Sequence, residues 1–174
     1  MKRGLALLAL LLPLCAVHAA PLTVAKSSVV VADQVNTLNP KALPNATLDY
    51  AIRVDNPNGI LSGNVVRVVV IEDTLPLSVK LRVADYGAAG SGPVEFMDGN
   101  LLGLGLLGSG LGYTFTSLAS ATDGLEFFDG TSWSYTPVAD AEGFDTRVRA
   151  VRVRLSGTQA ALSAFRLRFR VKLK

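Results

Sequence analysis

The chain has only one cysteine and one histidine, and both lie near its beginning, at Cys15 and His18. If the first nineteen residues are removed during export, the mature chain has neither residue type. Disulfide bonds, thiol nucleophiles, imidazole general bases and the usual zinc ligands are then excluded. The sequence also has no P-loop, no G-x-S-x-G nucleophile motif and no dinucleotide fingerprint. These absences favour a non-catalytic role.

Residues 1–19 have the three regions of a cleavable signal peptide. Lys2 and Arg3 form a positive start, residues 5–14 are apolar, and "AVHAA" supplies small residues for a signal peptidase. Cleavage after Ala19 is expected, and the apolar stretch is too short for a membrane span. We therefore predict an exported protein, periplasmic or at the cell surface or extracellular. Its mature domain would cover 20–174 and would not be an integral membrane protein.

The mature chain also has little net charge. Without Lys2 and Arg3, 15 of the 17 basic residues remain against 14 acidic residues, which is a net charge of about +1. Removing nineteen of the 174 residues leaves 155, enough for one domain with a sizeable core.

No segment after the signal has a sustained helical period. Instead, apolar and polar residues alternate, as in "ATLDYAIRVDN" (46–56), which is typical of a strand with one buried face. The segment 64–73 is apolar on both faces except at Arg67, as expected for a central strand. Turn-forming residues separate further strand candidates at 22–32, 79–85, 94–97, 112–118, 125–128, 132–136, 147–155 and 164–173. This spacing predicts an all-β sandwich or barrel.

A glycine- and leucine-rich stretch, "LLGLGLLGSGLG" (101–112), differs from the rest of the chain. Glycine at this density weakens both helices and strands. One interpretation is a flexible loop or hairpin tip whose leucines fold over the edge of the core. The other is an exposed apolar patch that docks on a partner or on lipid.

Six carboxylates and no basic residue lie between 123 and 145. They are Asp123, Glu126, Asp129, Asp140, Glu142 and Asp145. Oxygen ligands that converge from loops suit calcium, and the close spacing of Asp140, Glu142 and Asp145 makes them the candidate calcium ligands. The alternative is a set of solvated turn residues. Paired carboxylates of a hydrolase are a third interpretation, although their spacing does not require it. We expect no other cofactor.

The sequence ends in "AFRLRFRVKLK", which alternates apolar and cationic residues. One interpretation is a terminal strand that buries the odd-numbered positions from 165 to 173 and exposes its cations. The other is a face that binds an anionic surface polymer through Arg166, Arg168, Arg170, Lys172 and Lys174. No aromatic residue interleaves on the cationic side of this segment, which argues against nucleic acid as the partner.

Several runs, taken together, resemble a known family. "NPKALPNATLDYAIRVDNPN" (39–58) and "NVVRVVVIEDTLP" (64–76) are similar to the two signatures of the bacterial surface repeats called the domain-of-unknown-function eleven family. Residues 122–157 resemble the later part of stand-alone exported members. The matching positions are Pro44, Asn45, Ala46, Tyr50, Asn56, Asp73, Thr74, Leu75 and Pro76.

The resemblance implies an immunoglobulin-like β-sandwich of about seven or more strands, in the periplasm or at the cell surface. It implies no activity, because the family is defined without one. Three features depart from the family pattern: Asn45 replaces the usual glycine, there is one copy of the repeat, and no wall-anchoring tail follows. They favour a small module over a long adhesin stalk.

The sequence therefore predicts a single exported β-sandwich with a structural or binding role toward an unknown protein or an anionic surface polymer. A calcium-stabilised domain of the adhesin type is the alternative, and a hydrolase that uses carboxylates is a further one.

Overall fold

The computed structural model describes residues 19–59, 64–99 and 108–174. The predicted signal peptide, apart from its last residue, lies outside the described residues, and so does most of the glycine- and leucine-rich stretch. The described part of the chain contains strands and loops and no helix. Its ten strands are β1 (Thr23–Ala32), β2 (Thr47–Asp55), β3 (Val66–Thr74), β4 (Val79–Arg82), β5 (Val94–Asp98), β6 (Leu111–Gly112), β7 (Leu125–Phe128), β8 (Phe144–Asp145), β9 (Ala150–Gln159) and β10 (Ala164–Leu173).

The strands form two antiparallel sheets. The larger sheet has the order β1-β2-β10-β4-β8, and β5 also pairs with β10. The smaller sheet has the order β3-β9-β6, and β7 also pairs with β9. The predicted all-β sandwich with a single domain is confirmed.

The larger sheet is built around its last strand, β10. Strand β2 lies on one side of β10 over nine residue pairs, and β4 and β5 share the other side. Phe165, Leu167, Phe169 and Val171 are almost fully buried, while the cations between them are partly exposed. The prediction of a terminal strand with buried odd-numbered positions is therefore confirmed for these four positions.

The core lies between the two sheets and is apolar. The buried residues of β2 belong to the same apolar cluster as the inner residues of β9 and β7. The alternation of apolar and polar residues in the sequence therefore corresponds to a buried face and a solvent-facing face of the strand. Phe127, Phe165 and Phe169 are among the largest fully buried side chains. Each contributes about 1.5–3 kcal/mol of transfer free energy relative to an exposed side chain.

Strand β3 differs from its prediction, because it lies at the edge of the smaller sheet and not at its centre. Its ladder with β9 shifts register between Arg67 and Val69. At this bulge Val68 has a φ of 57° and its side chain is 82% exposed. The sequence is apolar on both faces here because one valine projects into solvent from a bulge, and not because both faces are covered.

Three strand candidates are shorter than predicted. The candidate at 79–85 already ends at Arg82. The candidate at 112–118 is reduced to β6, and the one at 132–136 makes only an isolated bridge between Ser134 and Phe127. Strand β8, with only two residues, has no alternation that could have revealed it. In the part of the chain that the structure describes, no helix has the length and apolar character needed to cross a membrane.

Candidate binding surface

Two of the three candidate calcium ligands, Asp140 and Glu142, meet at a lysine. The ammonium group of Lys80 lies 2.7 Å from a carboxylate oxygen of Asp140 and 2.9 Å from one of Glu142. Lys172 binds the other oxygen of Glu142 at 2.8 Å. The hydrogen bond from Lys80, together with the backbone N–H groups of Phe144 and Glu142, lowers the pKa of Asp140 to about 2. These carboxylates are ionised and neutralised by ammonium groups.

The third candidate ligand, Asp145, faces a different set of partners. It is buried, and it accepts hydrogen bonds from the Tyr135 hydroxyl at 2.6 Å, from Val138 N at 2.7 Å and from Arg147 N at 2.7 Å. Among the described residues, no three acidic or histidine side chains gather closely enough to hold a metal ion. The structure does not bring Asp140, Glu142 and Asp145 together at one point.

Asp123 and Asp129, of the same acidic block, are also engaged locally. Asp123 accepts hydrogen bonds from Thr116 and from Leu125 N, and Asp129 accepts them from Thr131 N and Ser132 N. Both carboxylates therefore order turns, which is the ordinary use of aspartate in loops.

All five predicted residues of the cationic face have a polar partner. Arg168 binds Glu95 at 2.5 Å, Arg170 binds Asp49 at 2.6 Å, and Lys172 binds Glu142. The other two find partners that are not acids: an Arg166 nitrogen lies 2.8 Å from Met97 Sδ, and Lys174 donates to the Leu77 carbonyl. Three of the five charges are thus neutralised within the sheet, which reduces the attraction of this face for a polyanion.

Sequence reasoning missed an aromatic residue on this cationic face. Tyr86 comes from the loop after β4, and the guanidinium carbons of Arg168 and Arg170 lie 5.2 Å and 5.3 Å from its ring centroid. Its hydroxyl donates to Asp49 at 2.7 Å. Burial, followed by the contact with Asp49, raises the pKa of Tyr86 above its ordinary value. No alternation within β10 could have revealed a residue that arrives from another segment.

Strand β1 is the most exposed element among the described strands. Nine of its ten residues are exposed, although its ladder with β2 runs over nine residue pairs. Two of its valines, Val24 and Val29, are 59% and 63% exposed. The strand is therefore held mainly by backbone hydrogen bonds to β2, with little burial of its own side chains.

Strands β1 and β3 each lie at the end of their sheet. We call these two strands together the open edge of the sandwich. Lys26 of β1 reaches across to Asp73 of β3, with a distance of 2.7 Å between Nζ and Oδ1. Lys26 also lies over the Tyr50 ring, 4.7 Å from its centroid. Additional exposed valines on this edge are Val31 and Val68, and the exposed Val65 directly precedes β3.

The chain was compared with protein families, curated proteins and solved structures. No family model, no curated protein and no solved structure matches the chain.

Proposed function

We propose that this protein is a non-catalytic exported module of the bacterial envelope and that it binds a partner protein through strand β1. The observation that carries the proposal is the exposure of β1: a ten-residue strand pairs with β2 on one side and leaves nearly all its side chains in solvent. Long, exposed and apolar edge strands are rare in proteins that work alone, because they invite pairing with other chains.

Strand addition is the recognition mode that suits this edge. A partner that presents an extended segment gains main-chain hydrogen bonds to β1 and contacts with its exposed valines. Residues 27–31, "SSVVV", carry no charge and stay in register with β2 up to Val30. Strand β3 suits such pairing less well, because the bulge at Val68 interrupts its ladder.

The placement in the envelope rests on the signal-like start of the sequence and on the resemblance to bacterial surface repeats. That resemblance implies an immunoglobulin-like sandwich in the periplasm or at the cell surface. One contact is consistent with a mature chain that begins at residue 20. The Asn58 side chain is buried, and it accepts a hydrogen bond from Ala20 N and donates one to the Ala20 carbonyl.

The non-catalytic part of the proposal is supported by the use of the carboxylates. Glu126, Asp140 and Glu142 are paired with basic side chains, and Asp123, Asp129 and Asp145 accept backbone hydrogen bonds. A carboxylate pair for hydrolysis requires one acid with a raised pKa. Hydrogen bonds lower the pKa of five of these carboxyl groups below its ordinary value: Asp123, Glu126, Asp129, Asp140 and Glu142.

A site-specific photo-crosslinker at position 29, in cells that express the full chain, tests the proposed surface. We expect a discrete crosslinked product with a second protein, and we expect Val31→Lys to remove it because a charge on the paired edge must be desolvated. Val138→Lys is the matched control, since Val138 is 71% exposed but lies in a loop outside the strands. Equal crosslinking in both variants, or none in the unaltered chain, contradicts the proposed surface.

Export is tested separately by fractionation and N-terminal sequencing. We expect the mature protein to begin at Ala20 in the envelope or medium, and deletion of residues 2–19 to retain it in the cytoplasm. An unprocessed protein in the cytoplasm would exclude the envelope placement without bearing on the edge of β1.

A further inference from the structure

A second surface, separate from strand β1, has the features of a small-molecule site. It is a cleft of about 310 Å³ beside β7, between the turn at 118–121 and the segment 133–136. This volume is at the lower end of the range of roughly 300–1,000 Å³ that is usual for ligand sites. The cleft is partly open to solvent.

Trp133 and Tyr135 are two of the three aromatic residues that line the cleft, with Phe127 as the third, and both are held in place by contacts. The Trp133 ring stacks on Phe128 with a centroid distance of 5.1 Å, and the guanidinium carbon of Arg152 lies 3.7 Å from its centroid. The Tyr135 hydroxyl is fixed by its hydrogen bond to Asp145. Aromatic side chains that are already immobilised lose little conformational entropy when a ligand binds.

The two charged groups that line the cleft, Glu126 and Arg152, are paired with each other and with charged neighbours. Glu126 binds Arg152 at 2.7 Å and Arg154 at 2.9 Å, and Arg152 also binds Glu72 at 2.7 Å. The two guanidinium groups are matched by two carboxylates, so the cluster has no net charge to attract an ion. It does offer donors and acceptors in fixed directions.

Hydroxyl groups add further polar positions around the aromatic rings. Ser120, Ser134 and Thr136 line the cleft, and Ser134 Oγ lies 2.7 Å from Ser132 Oγ. A ligand that fits this lining has apolar C–H faces for the rings, many hydroxyl groups for the polar residues, and no charge. A purely apolar ligand would displace water from these hydroxyl and charged groups without replacing its hydrogen bonds. A neutral sugar ring has all three properties.

We propose that the cleft formed by Trp133, Tyr135, Glu126 and Arg152 binds a neutral oligosaccharide. One sugar ring packs against Trp133, and its hydroxyl groups bond to Glu126 and Arg152. This assignment goes beyond the partner-binding role of β1 and uses no residue of that strand; Glu72 of β3 takes part only through its ion pair with Arg152.

The single tryptophan of the chain is in the cleft, so its fluorescence reports directly on binding. The full chain is titrated with four neutral probes: cellohexaose, maltohexaose, mannohexaose and chitohexaose. We expect at least one of them to produce a saturable change in Trp133 emission that is insensitive to salt, because no net charge is involved. Hexagalacturonate is the anionic comparison.

Substituted proteins locate the site by calorimetry with the same probe. We expect Trp133→Ala to weaken binding about tenfold or more and Trp133→Phe to weaken it less, because phenylalanine keeps an aromatic face. Tyr86→Ala is the matched control, since Tyr86 also lies beside arginines, but these belong to β10 of the other sheet. Thermal unfolding shows whether each variant is folded. If Trp133→Ala does not fold, the result for Trp133→Phe is used to test the site.

Three outcomes overturn the assignment. No response to any of the four neutral probes shows that the cleft takes no neutral oligosaccharide. A response to hexagalacturonate alone shows that it takes an anionic sugar. Equal weakening by Tyr86→Ala and Trp133→Ala places binding elsewhere. Because the β1 edge is tested by crosslinking, either proposal can fail without the other.

Discussion

At the residue scale, Asp49 and Arg170 form a partly buried ion pair in the larger sheet. Arg170 donates two hydrogen bonds to Asp49, at 2.6 Å and 2.9 Å, and Tyr86 donates a third. Burial tends to raise the pKa of Asp49, but the hydrogen bonds from Arg170 and Tyr86 outweigh it, and the pKa lies below the ordinary 3.8. The interaction therefore favours the ionised, folded state.

Replacing Arg170 with glutamine should lower the free energy of unfolding by about 1.5–3 kcal/mol at pH 7, because a partly buried carboxylate loses its charged donor. Arg53→Gln is the matched control: Arg53 pairs with Asp55 on the same sheet, but both side chains are about a third exposed, and we expect a loss below about 1 kcal/mol. Denaturant titration measures both. Equal losses would show that burial does not set the strength of these pairs.

The pH dependence of stability follows from the direction of the Asp49 shift. Because the folded pKa is below the unfolded value, the unfolded state binds more protons in acid. The contribution of Asp49 is complete above its unfolded pKa and disappears as the pH falls through the lower, folded pKa. In Arg170→Gln this part of the acid dependence should be smaller. An unchanged difference between the stabilities at pH 7 and pH 2 would contradict the assignment.

Val68 provides a second residue-scale prediction, because a β-branched residue seldom adopts a positive φ. Val68→Gly should raise the free energy of unfolding by up to about 1 kcal/mol, since relief of the left-handed strain exceeds the entropy cost of glycine. The exposed Val65, directly before the regularly paired Val66 of β3, serves as the comparison, and Val65→Gly should be destabilising. The midpoints of denaturant unfolding of both variants measure these changes. A loss of stability in both variants would mean that the backbone of Val68 is unstrained.

At the element scale, β1 and β10 are opposite extremes. β10 is paired on both sides and buries its apolar face, whereas β1 is paired on one side and buries almost nothing. The alternation in "FRLRFRVKLK" predicted that β10 is a strand with a buried face. It could not predict which strands flank it, because the register with β2 joins residues more than a hundred positions apart. For β3, a valine-rich run cannot distinguish a central strand from a bulged edge.

Hydrogen exchange tests this contrast between elements. We expect the amides of 165–173 to exchange only at the rate of global unfolding, because the strand cannot open without separating β2, β4 and β5. The amides of 23–32 should exchange much faster, through local opening at the edge. Mass spectrometry of peptides from both strands measures the difference. Equal protection of β1 and β10 would contradict this picture of the sheet.

At the scale of the whole molecule, surface charges tie distant segments together. Lys26 joins the two sheets, and Lys80 and Lys172 hold the loop that contains Asp140 and Glu142 against the larger sheet. The sequence predicted a cluster of acids and a cluster of cations in the last third of the chain. It missed the contributions of Asp49, Glu72 and Glu95, because acids outside the cluster gave no local signal.

This arrangement predicts that calcium is not part of the fold. EDTA should leave the melting temperature unchanged, because Asp140 and Glu142 are held by lysines and Asp145 bonds to Tyr135 and to backbone amides. Differential scanning calorimetry with and without the chelator measures this. Lys80→Met is the informative variant: it should lower the melting temperature in both conditions, and restoration by added calcium would revive the calcium interpretation.

The position of β10 has a consequence for biosynthesis. It is the last strand of this sequence to leave the ribosome, yet β2, β4 and β5 have no common neighbour without it. A nascent chain that stops before residue 164 can form the β1–β2 hairpin but cannot close the larger sheet over the core. We therefore expect the larger sheet to complete its folding only after this segment has been synthesised.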